Sequence, residues 1–299
     1  MIFTSTVPTN VRTPIAVTEY LAGRFTYRTA REWAGVIGEG RIFVNGAQCR
    51  EEDFIKAEDT ISYDPGEFEE PDADLAYSII YEDEWIIGVN KPGNLLVHRA
   101  GISFRNNLAY LLRCKNDPLY PECHPVHRLD RDTSGVVLVA KNSEQGGIFG
   151  KLFTGGSITR KYKAVVAGCP DLKTPFVIDG AIAADKGTDG PCRFKVDEGG
   201  KLASTVVEEV EHFDRLSLLT IRPVTGRTHQ IRVHLASIGY PVMGDKVYGA
   251  NKDNIGGHQS TPTRQALHCE SLSFIHPHTK TQCTIAAGLP DDIKVHLYR

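Results

Sequence analysis

Residues 127–135 read His-Arg-Leu-Asp-Arg-Asp-Thr-Ser-Gly and run directly into Val-Val-Leu-Val-Ala. Asp130 therefore sits between Arg128 and Arg131, just ahead of a small-residue turn and an apolar strand. Carboxylates are rarely buried unless paired. An acid at the mouth of such a strand has the character of a held, reactive group. A free aspartate titrates at about 3.9 and is anionic at neutral pH. Burial raises that value and a neighbouring guanidinium opposes the rise. A second charged region lies downstream, where Arg222, Arg227 and Arg232 fall within eleven residues that contain no acid. That arrangement favours an anionic partner. The histidine pairs 124/127, 229/234 and 276/278 do not make His-Glu-x-x-His, and no Cys-x-x-Cys accompanies them, so no metal site is expected. Gly187-Thr-Asp-Gly190 and Gly199-Gly200 read as turns and lack the spacing of a phosphate-cradling loop.

These groups need a scaffold. The 299 residues, 41% hydrophobic, suffice for about two domains with a substantial core. The net charge of −3 is unevenly distributed: residues 64–74 hold six acids and no base. This proline-bearing stretch marks a linker, placed at 66–76. The seven cysteines, an odd number without close pairs, favour a reduced intracellular chain over a disulfide framework. The N-terminus shows no signal-peptide pattern, and no apolar run is long enough to span a bilayer. A cytoplasmic protein, monomeric by default, is the expectation.

Residues 1–65 read as a small α/β module. Val17, Tyr20, Leu21 and Phe25 are spaced as on a helix, and Thr29-x-x-Glu32 is a capping box opening a second helix striped by Ala30, Trp33, Ala34 and Ile37. Ile42–Val44 followed by Asn45-Gly46 reads as a strand entering a tight turn. In residues 77–299, strand-like runs at 79–81, 85–89, 136–139, 162–166, 206–210, 216–221 and 283–285 mix with helical candidates at 106–113, 144–153 and 229–238. Without a regular βαβ alternation, this order predicts an α+β domain with a mixed, largely antiparallel sheet.

Four blocks, in order, resemble the RluA-type RNA pseudouridine synthases. They are Tyr81-Glu-Asp through Asn90-Lys91-Pro92-Gly93 to His98; the Asp130 motif; Arg160-Lys161-Tyr162-Lys163-Ala164-Val165-Val166; and Gly226-Arg-Thr-His-Gln-Ile-Arg-Val-His-Leu235 with the later Gly239–Asp245 and Leu267-His268. Residues 1–65 resemble an S4 RNA-binding module, although residues 11–65 carry seven basic and nine acidic residues. The resemblance implies isomerisation of a uridine within RNA, without metal or cofactor. It assigns Asp130 as the catalytic aspartate, Arg227 as its guanidinium partner and Tyr162 as the ring beside the uracil. Ile231 would close the pocket, and Arg128 would fill the gap left by the everted base. Lys91, Arg160 and Lys161 would meet phosphates, as would Arg24, Arg28 and Arg31 on the N-terminal module. Large-subunit ribosomal RNA is the first expectation for the partner, with transfer RNA open. A catalytically silent RNA-binding or ribosome-assembly factor of the same fold is the competing class. A hydrolase built on Asp130 lacks a second acid or base at fixed spacing.

Overall fold

The computed structural model describes residues 2–66, 69–185, 193–249 and 262–298. They form two compact units, Met1–Pro71 with Arg99–Arg105, and Asp72–His98 with Asn106–Arg299. The division at residues 71/72 falls inside the acidic, proline-bearing stretch. Segment 99–105 departs from the expected boundary. It belongs to the N-terminal unit because Phe104 is buried there, stacked on Phe3 with ring centroids 4.2 Å apart.

The N-terminal unit runs β1 (Phe3–Thr6), β2 (Ile15–Ala16), α1 (Val17–Arg24), α2 (Ala30–Gly38), β3 (Ile42–Val44), β4 (Ala47–Gln48), β5 (Phe54–Ile55) and β6 (Thr60–Tyr63). Its main sheet has the order β1-β6-β3-β4, and β2 pairs with β5. Of the predicted helix stripes, Val17, Tyr20, Leu21, Trp33 and Ile37 are buried in its core, joined by Val36, whereas Ala30, expected in the second stripe, is exposed at the start of α2. The capping box forms in full: Thr29 Oγ1 accepts from the Glu32 amide at 3.3 Å and Glu32 Oε2 accepts from the Thr29 amide at 2.6 Å. Asn45 and Gly46, at φ 51° and 82°, make the tight β3–β4 turn.

The C-terminal unit runs β7 (Ser78–Glu82), β8 (Ile86–Lys91), α3 (Leu108–Cys114), β9 (His124–Pro125), β10 (Ser134–Ala140), α4 (Ser143–Thr154), β11 (Thr159–Ala167), β12 (Phe176–Asp179), β13 (Ile182–Asp185), β14 (Arg193–Val196), β15 (Ser204–Phe213), β16 (Leu216–Pro223), α5 (Gln230–Ser237), β17 (Leu267–Ile275), β18 (Gln282–Ala286) and α6 (Asp291–Lys294). The large sheet has the order β12-β15-β16-β11-β17-β10-β8-β7, with β18 on β17 and β9 on β10. Its pairings are antiparallel except β10–β17. The fold is thus α+β with a mixed, largely antiparallel sheet. Every residue of β10 is buried, as the apolar run at 136–140 requires of a central strand. Gly135, at φ +112°, lies so close to the β17 backbone at Cys269 that a Cβ would overlap it. The hairpin β13–β14 stands apart from this sheet and packs on α5 through Ile182, Phe194 and Val233. The Gly187–Gly190 turn lies outside the described residues.

Candidate active site

Asp130 lies within the irregular segment between β9 and β10, and that segment is tied down from several sides. His127 Nε2 accepts from the Leu138 amide at 3.0 Å, and its ring stacks on Phe153 with centroids 4.4 Å apart. Burial holds its imidazole down to about 3, so it stays neutral. The turn after Asp130 is pinned by Arg264, which donates to the Asp132 carbonyl at 2.9 Å and to Ser134 Oγ at 3.1 Å. Gln265 adds a 2.6 Å bond to Thr133 Oγ1.

Lys91 supports the same turn. It is 0% exposed, and its ammonium donates to the carbonyls of Pro92, Leu95 and Arg131 at 2.8, 2.9 and 3.1 Å. Burial, reinforced by the charge of Arg264, lowers its pKa to about 7. This corrects the expectation that Lys91 meets phosphates: a cation enclosed by three carbonyls has no open side for one. It joins the loop after β8 to the residue following Asp130.

The cavity at Asp130 measures about 160 Å³. Asp130, Tyr162, Arg128, Arg160, Arg227 and Ile231, all singled out from sequence, line it together with His229, Gln230 and Arg232. Tyr162 stands on β11 between Ile221 of β16 and Cys269 of β17, beside a register shift at Lys161/Tyr162. Burial, then the neighbouring Cys269 thiol, raises its phenol well above the ordinary range, so it is protonated at neutral pH. Arg160 Nη2 donates to the carbonyls of Pro223 and Thr225 at 3.2 and 2.9 Å, bracing the turn that carries Gly226 and Arg227. Lys161 is outside the cavity lining and pairs with Glu208 at 3.3 Å. Arg24, Arg28 and Arg31 belong to the N-terminal unit.

The guanidinium that holds Asp130 is Arg232, not Arg227. Arg232 Nη1 donates to Asp130 Oδ2 at 2.8 Å, while its Nε and Nη2 grip Asp245 at 2.7 and 2.9 Å. Asp245 Oδ1 also accepts the amides of Val247 and Tyr248 at 2.9 and 3.0 Å. Burial opposes both charges. The pairing outweighs it, so Arg232 stays above and Asp245 below its ordinary pKa. Among the described residues no donor is within hydrogen-bond distance of Asp130 Oδ1, and the side chain keeps 22% exposure. One oxygen is thus fixed and the other is free at a cavity wall. Arg227 instead donates from Nε to the Leu202 carbonyl at 3.0 Å. The two arginines separate because the chain turns between them. Gln230 Oε1 accepts from the Arg227 amide at 3.0 Å, and His229 adopts φ 55°, ψ 18° before α5 begins. Arg232 then lies on the buried face of α5, whereas Arg227 stays in the exposed turn.

His229 is a further member of the site. The Phe194 amide donates to Tyr248 Oη at 2.9 Å, and Tyr248 Oη lies 2.8 Å from His229 Nδ1. With its oxygen accepting from the amide, the phenol gives its proton to Nδ1, and the network assigns the imidazole proton to Nε2. Nε2 lies 3.7 Å from Asp130 Oδ2. Burial, only partly offset by Asp130, lowers the His229 pKa and keeps this neutral form. The sequence offered one sign of these partners: Arg232 stands in the acid-free run and Asp245 in the last matched block. Neither the pairing nor Tyr248 was readable from spacing.

The arrangement is an anionic oxygen at a partly apolar cavity, with a protonated phenol and a rim of arginines. It suits a reaction begun by a carboxylate on a flat, phosphate-linked substrate. Comparison with known proteins agrees. The model of the RNA pseudouridylate synthase family matches residues 86–237, half of the chain. A Zymomonas mobilis protein named ribosomal large subunit pseudouridine synthase D is 36% identical over 232 residues, covering 74% of this chain and 72% of the relative. A Xylella fastidiosa protein of the same name is 32% identical over 290 residues, 93% of this chain and 86% of the relative. Among solved structures, human RNA pseudouridylate synthase domain containing 1 aligns with a TM-score of 0.59 and 26% identity over 74% of this chain and 86% of its own. Sequence and fold therefore agree that this chain is an enzyme of the RNA pseudouridylate synthase family.

Proposed function

We propose that the enzyme converts specific uridines of large-subunit ribosomal RNA to pseudouridine, with Asp130 as the catalytic aspartate. The observation that carries the reading is the Asp130 carboxylate, anchored through Oδ2 by Arg232 and open at Oδ1 to a cavity walled by Tyr162. The names of the Zymomonas and Xylella relatives support ribosomal RNA as the substrate class.

The reaction breaks the N1–C1′ bond, turns the uracil while it remains held and joins C5 to C1′; C5 then loses its proton and N1 takes one up, so the product is an isomer of the substrate. It is a rearrangement without net oxidation, so the proposal includes no cofactor. The uridine leaves its stack to enter the cavity, at a cost of a few kcal/mol. Exposed Arg128 at the rim is suited to fill the vacated position, and Ile231 to close the apolar side. Asp130, half-buried and held through Oδ2 by Arg232, initiates bond breaking through Oδ1. Tyr162 lies beside the base and, as a neutral phenol, passes on a hydrogen bond rather than starting as a base. Arg227, held only through Nε to a carbonyl, has donors left for a phosphate next to the flipped nucleotide.

The proposal has the enzyme acting as a monomer in the cytoplasm; among the described residues no helix is long and apolar enough to cross a membrane. The test is pseudouridine mapping of ribosomal and transfer RNA from a strain lacking the gene. Loss of one or a few large-subunit sites, restored by the wild-type gene and not by Asp130→Asn, is expected. Loss confined to transfer RNA would reassign the substrate. Unchanged RNA in vivo, with no product from any transcript in vitro, would leave a silent binding factor.

A further inference from the structure

The N-terminal unit contains a cavity of its own, about 240 Å³, larger than the one of about 160 Å³ at Asp130. Its walls are aromatic: Phe3 of β1, Phe25 and Tyr27 from the turn after α1, Trp33 of α2, Tyr63 of β6, and Phe104. Among the described residues the charged groups lining it are Arg24, at the end of α1, and Arg99; no carboxylate does. That is opposite to the character of the unit, which carries nine Lys and Arg against twelve Asp and Glu. The Arg99 guanidinium lies 5.1 Å from the Phe3 ring centroid, and that of Arg28 lies 5.6 Å from the Trp33 ring. None of these three arginines is within ion-pair distance of a carboxylate among the described residues. Arg24 and Arg99 are exposed at the cavity, so their guanidinium groups stay available to an anion while the rings offer their faces. Rings and unpaired arginines around a concave space are the two elements that hold a nucleotide: ring faces take the base, and cations take the phosphates beside it.

We propose that this cavity takes one unstacked nucleotide of the RNA substrate, its base among the rings and its flanking phosphates on Arg24 and Arg99. The inference rests on RNA being the substrate, as proposed above, and adds a second point of engagement separate from the catalytic cavity. It also explains how a net acidic unit contributes to binding a polyanion. Affinity is concentrated in one pocket rather than spread over a basic face. The segment recognised is single-stranded, a loop, bulge or end, because a paired base cannot present its face to the rings.

The chain has two tryptophans, Trp33 and Trp85, so full-length Trp85→Phe protein reports on this cavity through Trp33 alone. Titration with single-stranded hexauridylate should give a saturable change in Trp33 emission. The double substitution Arg24→Glu/Arg99→Glu should weaken it by roughly ten-fold and lower the salt-dependence slope by about 1.4. Asp130→Asn in the same background should leave the emission change in place while product formation stops, which separates this inference from the catalytic reading. Absence of a saturable change overturns the proposal, as does an unaltered titration in the double variant. Uridine 5′-monophosphate binding more tightly than the hexamer would also overturn it, marking a small-molecule site. Should Trp85→Phe fail to fold, hexauridylate containing 4-thiouridine can be photo-crosslinked to the wild-type chain. Adducts in peptides spanning 25–27 or 99–104 support the proposal, and adducts confined to 128–162 and 225–232 refute it.

Discussion

Replacement of Arg232 by methionine tests the observed pairing against the one expected from sequence. Methionine keeps the stem and removes the charge, so the loss reflects electrostatics more than a cavity. The Arg232 side chain is 6% exposed and that of Asp245 is 0% exposed. Without the guanidinium, Asp245 retains the amides of Val247 and Tyr248 but no countercharge. Breaking a buried pair from one side costs about 3–5 kcal/mol. Asp130, at 22% exposure, can recover some hydration and adds less. The pH dependence carries a definite sign. In the wild type the Asp245 pKa is depressed in the fold. Its contribution is therefore present above the unfolded value of about 3.9 and is lost as pH falls through the folded value. In the variant, burial outweighs the two remaining amides and the folded pKa rises. The deficit relative to wild type should therefore be largest at neutral pH and shrink on acidification. Urea unfolding of the full-length protein at neutral and mildly acidic pH, followed by circular dichroism, measures this. Turnover should fall by at least about 10²-fold, since the reacting carboxylate loses its fixed position. Arg227→Met, in the exposed turn, should cost no more than about 1 kcal/mol. Wild-type stability in Arg232→Met, or an equal loss in Arg227→Met, would refute the reasoning.

Four other outcomes are expected. Tyr162→Phe should keep RNA affinity within a few-fold while turnover drops by about 10²–10⁴-fold, the range for loss of a proton-handling group; single-turnover kinetics with a binding titration decide this, and full turnover would make the hydroxyl dispensable. His229→Gln, which keeps an N–H near the position of Nε2, should retain more activity than His229→Ala, and Tyr248→Phe should lower activity by freeing the His229 tautomer; equal rates in all three would remove the Phe194–Tyr248–His229 chain from the mechanism. Lys91, lowered to about 7 in the fold from about 10.4 unfolded, makes the unfolded chain bind more protons between those values, so stability attributable to it rises with pH across that window. Lys91→Met should flatten that rise in denaturation at pH steps from neutral to about 10, and an unchanged slope would mean that the lysine is not enclosed as described.

Local patterns revealed much of this molecule. The capping box at Thr29/Glu32, the Asn45-Gly46 turn and the apolar run at 136–140 within β10 each depend on neighbours in sequence, and each forms as read. The Asp130 segment announced itself because an acid before a buried strand is rare. What remained hidden depends on where the chain turns. Arg227 and Arg232 are equivalent in an acid-free run until His229 takes a left-handed conformation and starts α5 after it. Lys91 looked like a surface cation, yet its three carbonyl partners come from residues 92, 95 and 131, and no spacing rule joins those. Only the first two residues of β17 were noticed in sequence, although Cys269 on that strand pairs with Tyr162 and adds to the raising of its phenol. Likewise 99–105 carries no composition break, and only the burial of Phe104 assigns it to the N-terminal unit.

The proposed isomerisation rests on the single carboxylate of Asp130. Purified Asp130→Asn and wild-type enzyme, incubated with large-subunit ribosomal RNA and scored for pseudouridine by carbodiimide-dependent reverse-transcription stops, test it most directly. Product is expected from the wild type and none from the variant, with fold and RNA affinity preserved. Product at the wild-type rate from the asparagine variant would contradict it.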